Sequence, residues 1–133
     1  MAERMPTAKV ILNISSDPSL LETRSAILEH AGFAVISASD YRQVLLACET
    51  QKLDLAIIGH SLDSKERKRV ATTIREKCPE VHIVALYRLG KSEVDGIGDY
   101  ALPADDPALL LTMITRIIRQ GDPGNATGVF VKP

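Results

Sequence analysis

Apolar residues fall along this chain in short runs that alternate with longer stretches of helical spacing. Residues 9–14 read Lys-Val-Ile-Leu-Asn-Ile, a run too short for a helix and rich in β-branched side chains, which predicts a buried strand. Asp17-Pro18 then opens a helix, with Asp as N-cap and proline at the first helical position. Leu20, Leu21, Arg24, Ile27, Leu28 and Ala31 mark one face of that helix, and Gly32 ends it where a left-handed backbone is wanted. A second strand is expected over 33–38. Ser39 or Asp40 caps the next helix, whose apolar face is Val44, Leu45, Ala47 and Cys48. The third strand, 53–58, is apolar apart from Asp54 and runs into a loop at Gly59-His60-Ser61.

A charged helix follows over 63–78, with Val70, Ala71 and Ile74 turned inward and Pro79 closing it. Residues 81–86 predict a fourth strand and 99–102 a weak fifth. Asp106-Pro107 repeats the cap-plus-proline device ahead of a stripe of Leu109, Leu110, Met113, Ile114, Ile117 and Ile118 that stops at Gly121. Strands alternating with helices argue for an α/β domain with a parallel sheet covered on both faces. Five strands suit the flavodoxin-like doubly wound order 2-1-3-4-5, in which ligands sit beyond the carboxyl ends of strands 1 and 3. The loops at 15–18, 59–62, 87–90 and 102–106 are therefore the places for chemistry. The domain is expected over 9–121, after an N-terminal extension (1–8) and before a flexible tail (122–133). Between the fourth and fifth strands only 88–95 are left for a crossover helix, which must be shortened or absent.

Composition narrows the function classes. The 133 residues fit one domain, and sixteen Lys and Arg against seventeen Asp and Glu give a net charge of −1. That balance gives no bulk electrostatic reason to expect nucleic acid or a membrane surface. No apolar run is long enough to span a bilayer, and the first eight residues lack the apolar core of a signal peptide. Cys48 and Cys78 make neither a disulfide framework nor a zinc site and read as buried or half-buried thiols. The absence of Trp and 4% aromatic content make base stacking a poor expectation. No glycine-rich dinucleotide fingerprint, P-loop, zincin motif or nucleophile elbow is present. Lys65-Glu-Arg-Lys-Arg69, with Arg75 and Lys77, is interrupted by Glu66 and Glu76 and reads as a solvated helix face. Asn13-Ile-Ser matches the glycosylation pattern without any other sign of secretion.

Several local strings resemble the receiver domain of two-component response regulators: VILNISSDPSLL over 10–21, DLAII over 54–58, IVAL over 83–86, GIGDY over 96–100 and DPALL over 106–110. The resemblance covers about residues 8–120. It implies the doubly wound fold and a role in two-component signalling or a phosphorelay, with a signalling protein as partner and a homodimer allowed. The chemistry residues depart from the family. Ser15 and Ser16 stand where the family has the acidic pair that holds magnesium, and Gly59 stands where it has the phosphoacceptor aspartate. Tyr87 takes the place of the Thr or Ser ending strand 4. Pro103-Ala104, or Leu102-Pro103 in a slipped register, takes the place of the Lys-Pro after strand 5.

What remains is a degenerate pocket with no catalytic residue, no metal and no cofactor expected. Phosphoryl transfer needs a nucleophilic oxygen and a cation to neutralise the transferred group, and neutral serine hydroxyls are poor ligands for Mg²⁺. Asp17 and His60 are the residual polar candidates, though Asp17 reads first as a helix cap and His60 as a solvated loop histidine. Asp63 likewise reads as a cap. The expectation is a cytoplasmic pseudo-receiver that is not an enzyme, is not phosphorylated and acts through protein contacts, without nucleic acid or membrane. The runner-up is a small flavodoxin-like cofactor or anion-binding protein or enzyme, because Ser15-Ser16 precede a helix N-terminus whose N–H groups can face an anion. The missing phosphate-loop glycines count against a flavodoxin proper.

Overall fold

Every apolar run predicted as a strand joins a single sheet. The computed structural model describes residues 8–88 and 96–120. In chain order it contains β1 (Val10–Ile14), α1 (Pro18–His30), β2 (Ala34–Ala38), α2 (Tyr41–Thr50), β3 (Leu55–Ile58), α3 (Ser64–Lys77), β4 (His82–Tyr87), β5 (Tyr100–Pro103) and α4 (Pro107–Gln120). All strand pairs are parallel and the order is β2-β1-β3-β4-β5, as the alternation predicted. The expected tail and the short crossover segment at 89–95 lie outside the described residues, as do positions 1–7.

Period-two alternation sends neighbouring strand residues into two separate cores. Leu12, Ile14, Ala56, Ile58, Ile83 and Ala85 face α2 and α3, where they meet Val44, Ala47, Val70 and Ile74. Ile11, Leu55, Ile57, Val84 and Leu86 face the opposite side and pack on Leu28 of α1 and on Leu110, Met113, Ile114 and Ile117 of α4. Asn13 also faces this side. Its side-chain amide donates to the Leu21 carbonyl and to Ser25 Oγ, which binds α1 to the sheet and buries the glycosylation pattern completely.

The caps fall where the short polar residues predicted them. Asp17 accepts from the Ser19 and Leu20 N–H groups, Asp40 from Gln43, Asp63 from Glu66 and Asp106 from Leu109. Asp40 rather than Ser39 is the cap of α2; Ser39 instead donates its N–H and hydroxyl to Gln43 Oε1. Gly32 follows α1 with φ at +101°, a conformation that a Cβ would strain. Ala31, assigned to the buried face, is exposed because it is the C-cap at which the helix has already ended.

Strand 3 starts two residues later than expected; ahead of it the Asp54 carboxylate takes the Val10 N–H at 2.8 Å while the Asp54 N–H bonds to the Val10 carbonyl at 2.9 Å.

Candidate functional site

Parallel pairing puts the carboxyl ends of β1, β3, β4 and β5 on one edge, and the register aligns Ile14 with Ile58, Ile58 with Ala85, and Tyr87 with Pro103. The residues immediately beyond, Ser15 and Gly59, therefore lie side by side, with Tyr87 and Pro103 further along the same edge. The sequence singled out these positions, and the fold brings them together.

Ser15 and Ser16 do not point into open space. Ser15 is fully buried, accepts the Asp17 N–H at 3.1 Å and lies 3.0 Å from Ser61 Oγ. Ser16 donates its N–H to Ser61 Oγ at 3.1 Å, and its hydroxyl lies 3.1 Å from the Ser61 carbonyl. The three serines lash the loop after β1 to the loop after β3, which leaves Ser15 with its bonding capacity used. Asp17 caps α1 as expected. Ser61 was missed in the sequence, where an isolated loop serine carries no signal.

Gly59 is buried, and its N–H bonds to the Ile14 carbonyl at 2.9 Å. A Cβ placed there would come within 2.8 Å of the Ile14 carbonyl oxygen and 3.2 Å of Arg24 Nη1. The spot from which a side chain would project is thus closed by strand backbone on one side and by a guanidinium on the other.

Two arginines fill the ground beneath this edge, and neither was recognised as a site residue. Arg67 was read as part of a solvated basic face. Instead it is 5% exposed, donates through Nη1 to the Gly59 and Leu86 carbonyls at 2.8 and 3.1 Å, and lies 4.7 Å from the Tyr87 ring centroid. The helical period turns position 67 toward the sheet together with Val70, Ala71 and Ile74, and the long stem lets its charged end reach the strand termini. Its neighbour Arg69 covers the Tyr41 ring at 3.8 Å, so this face is used for packing as well as for hydration.

Arg24 stands on the inward face of α1 and is also 5% exposed. Its two terminal nitrogens are buried with no hydrogen-bond partner. Burial holds its pKa below the ordinary value, and the nearby Asp17 carboxylate offsets only part of that effect. His60 is half-buried rather than solvated, with Nδ1 buried and unpartnered. Its pKa lies below the usual imidazole value, first through burial and then through Arg24, Arg88 and Arg67, against a weaker opposing pull from Asp17.

Beyond the same edge is a cleft of about 850 Å³ lined by Asp17, Leu20, His60, Ser61, Arg88, Ala104 and Asp105, whereas Arg24 lines a separate, largely apolar cavity between α1 and α4. Pro103 ends β5 at its margin, and the Ala104 N–H bonds to the Tyr87 carbonyl at 2.7 Å. Among the described residues, no group of three or more His, Cys, Asp or Glu is placed to hold a metal ion. No described helix is long and apolar enough to cross a membrane.

No protein-family model matches the chain, and no curated protein matches it. Solved structures do. A CheY-like receiver domain protein from Methanospirillum hungatei JF-1 superimposes with TM-score 0.74 at 20% identity, over 86% of this chain and 96% of that one. The fold is that of response regulator receivers. The chemotaxis response regulator CheY4 of Vibrio cholerae gives TM-score 0.71 at 20% identity, covering 84% of this chain and 99% of that one. The response regulator TrrA of Thermotoga maritima, solved in complex with Mg²⁺ and BeF, gives 0.69 at 20% identity over 82% and 98% of the two chains. The expected doubly wound receiver scaffold is therefore present, and at this identity the likeness speaks of fold alone.

Proposed function

We propose that this chain is a receiver-like signalling module of the two-component type that has exchanged phosphotransfer for fixed structure, works in the cytoplasm and acts through contacts with a signalling protein. Gly59 carries the reading. It stands at the end of the third strand, where the receiver resemblance expects the acceptor carboxylate, and it has no side chain to phosphorylate. The tight approach of the Ile14 carbonyl and Arg24 leaves no room to restore one without moving backbone.

The residues at this edge do not fit a magnesium ion. Ser15 Oγ is committed to Ser61 and Asp17, one Asp17 oxygen is committed to the helix N–H groups, and the Arg24 guanidinium, without hydrogen-bond partners at its terminal nitrogens, lies against the same spot. A hard dication needs several free oxygen donors and repels a neighbouring cation. Tyr87 is held beneath the Arg67 guanidinium, which also bridges the ends of β3 and β4. That arrangement supports one held conformation over a two-state response.

Intact-mass measurement after incubation with acetyl phosphate and Mg²⁺ tests the reading. The expected result is no added phosphoryl mass on the native chain and none on Gly59→Asp, whose carboxylate would lie against Arg24 and lack an acidic pair. Added mass mapping to Asp17, His60 or Asp63 would overturn it.

A further inference from the structure

We propose that the cavity between α1 and α4 is a binding site for a small monocarboxylate with an apolar body, of the size of a short-chain or single-ring acid. This site is separate from the cleft beyond the strand ends, and its occupation does not depend on the loss of phosphotransfer. The cavity holds about 130 Å³. An apolar protein cavity of roughly 150 Å³ takes up benzene, so a ring or a branched chain of a few carbons fits here. Ile27 and Leu28 of α1 and Leu110 and Leu111 of α4 supply its walls, together with Leu20 and Ala104. The exposed Thr23 and Pro107 complete the apolar lining and give it an opening at the surface. Arg24 lines the same space.

Apolar walls by themselves would suit a hydrocarbon, and Arg24 changes that. It is 5% exposed, and both terminal nitrogens are buried without a hydrogen-bond partner. Buried donors are ordinarily satisfied, and a charged one without an acceptor is costly. Asp17 offsets only part of the desolvation and spends an oxygen on the Ser19 and Leu20 N–H groups. Arg24 Nη1 lies 3.2 Å from where a Gly59 Cβ would stand, which puts the guanidinium at the carboxyl end of β3. Leu20 and Ala104 line the cleft at that edge as well as the cavity, so the charged tip of Arg24 and this end of the cavity lie at the same level. A ligand whose body sits between the helices brings its carboxylate to that end, where a turn of the flexible Arg24 tip pairs the two. One carboxylate matches one guanidinium in a two-point contact. The apolar walls disfavour a strongly hydrated dianion, and Arg24 disfavours a cation.

The experiment is an NMR titration of the full chain at about pH 7, where carboxylic acids are ionised. The probes are sodium benzoate, benzyl alcohol as its uncharged counterpart, and sodium acetate, which has the charge without the body. Benzoate is expected to shift the Thr23, Arg24, Ile27, Ala104 and Leu111 amides saturably, with a Kd on the order of 1 mM. Benzyl alcohol should act on the same amides about tenfold more weakly, and acetate should give no saturable shift. Arg24→Met is expected to bring benzoate down to the affinity of benzyl alcohol and to leave benzyl alcohol unchanged. Ala104→Leu, which keeps Arg24 and fills the cavity, should abolish binding of both and serves as the test should the first variant not fold. The proposal fails if benzoate gives no saturable shift up to roughly 50 mM, if benzyl alcohol binds as tightly, or if a folded variant binds benzoate as the native chain does. It fails equally if the shifts gather on His60, Ser61 and Arg88 of the cleft. Each of these failures leaves the mass measurement on phosphorylation untouched.

Discussion

Arg24 and Arg67 are equally buried, approach the same strand ends from helices on opposite faces of the sheet, and differ in one respect: what their guanidinium groups touch. Arg67 meets two backbone carbonyls and an aromatic ring. Arg24 meets nothing that bonds to its terminal nitrogens. A buried charge with fixed partners contributes to the fold, whereas one without them costs stability and points to a task. The sign of a charge and the depth of its burial therefore do not say which kind it is.

Methionine at each position makes the sharpest break in this comparison, because it keeps much of the apolar stem and removes the charge. Arg67→Met leaves the Gly59 and Leu86 carbonyls without that donor and should cost about 2–4 kcal/mol in urea unfolding. Arg24→Met should move stability the other way, by roughly 1–2 kcal/mol, since it removes a buried charge that Asp17 compensates only in part and whose terminal nitrogens make no hydrogen bond. Equal losses at the two sites would mean that Arg24 is as much a structural residue as Arg67.

The space between the two arginines gives the next test. Gly59→Ala adds only a methyl group, yet its Cβ would stand 2.8 Å from the Ile14 carbonyl oxygen. The strands must part to admit it, and a loss of about 1–3 kcal/mol is expected from overpacking of this kind. Unchanged thermal stability would show that the edge is looser than its geometry implies.

A smaller effect follows from His60, which senses both arginines. Its folded pKa lies below the ordinary 6.5. As pH falls through about 6.5 the unfolded chain takes up this proton first, so stability declines from there until the folded value is passed, and is flat with respect to this group above 6.5. The difference between the native protein and His60→Gln in melts across that range isolates the contribution. A pH-independent difference would remove His60 from the cationic cluster.

Alkylation contrasts the cleft with the opposite end of the α2–α3 face. Burial, reinforced by the adjacent Cys78, pushes the Cys48 thiol up to about 12. Iodoacetamide at pH 8 should therefore modify the half-buried Cys78 before Cys48. Reaction at Cys48 first would show that this seam opens.

The elements and their order were legible because each was written in local terms. Strands showed as β-branched runs, helices as stripes behind an Asp cap, and the stop after α1 as Gly32. The loops at 15–18, 59–62, 87–90 and 102–106 could be placed on one edge because parallel strands end together, and the receiver resemblance then picked out Ser15, Ser16, Gly59, Tyr87 and Pro103 within or beside them. Arg67 could not be read correctly, because five consecutive charged residues look solvated in sequence while the helix turns one of them inward. His60 was misjudged for a related reason: the charges and walls around it come from α1, α3 and the end of β4, far away along the chain.

Sequence alone determined the scaffold and the identity of the side chains at the carboxyl edge, since periodicity, capping and proline or glycine stops act over a few residues. Tertiary structure alone decided which of those side chains are satisfied. Ser61 closes over Ser15 and Ser16 across the β1–β3 boundary, Arg67 spans the ends of β3 and β4, and Arg24 is enclosed without a partner. Desolvation and hydrogen-bond satisfaction depend on everything that packs around a group, and at this edge the neighbours arrive from separate elements with no trace in the local pattern.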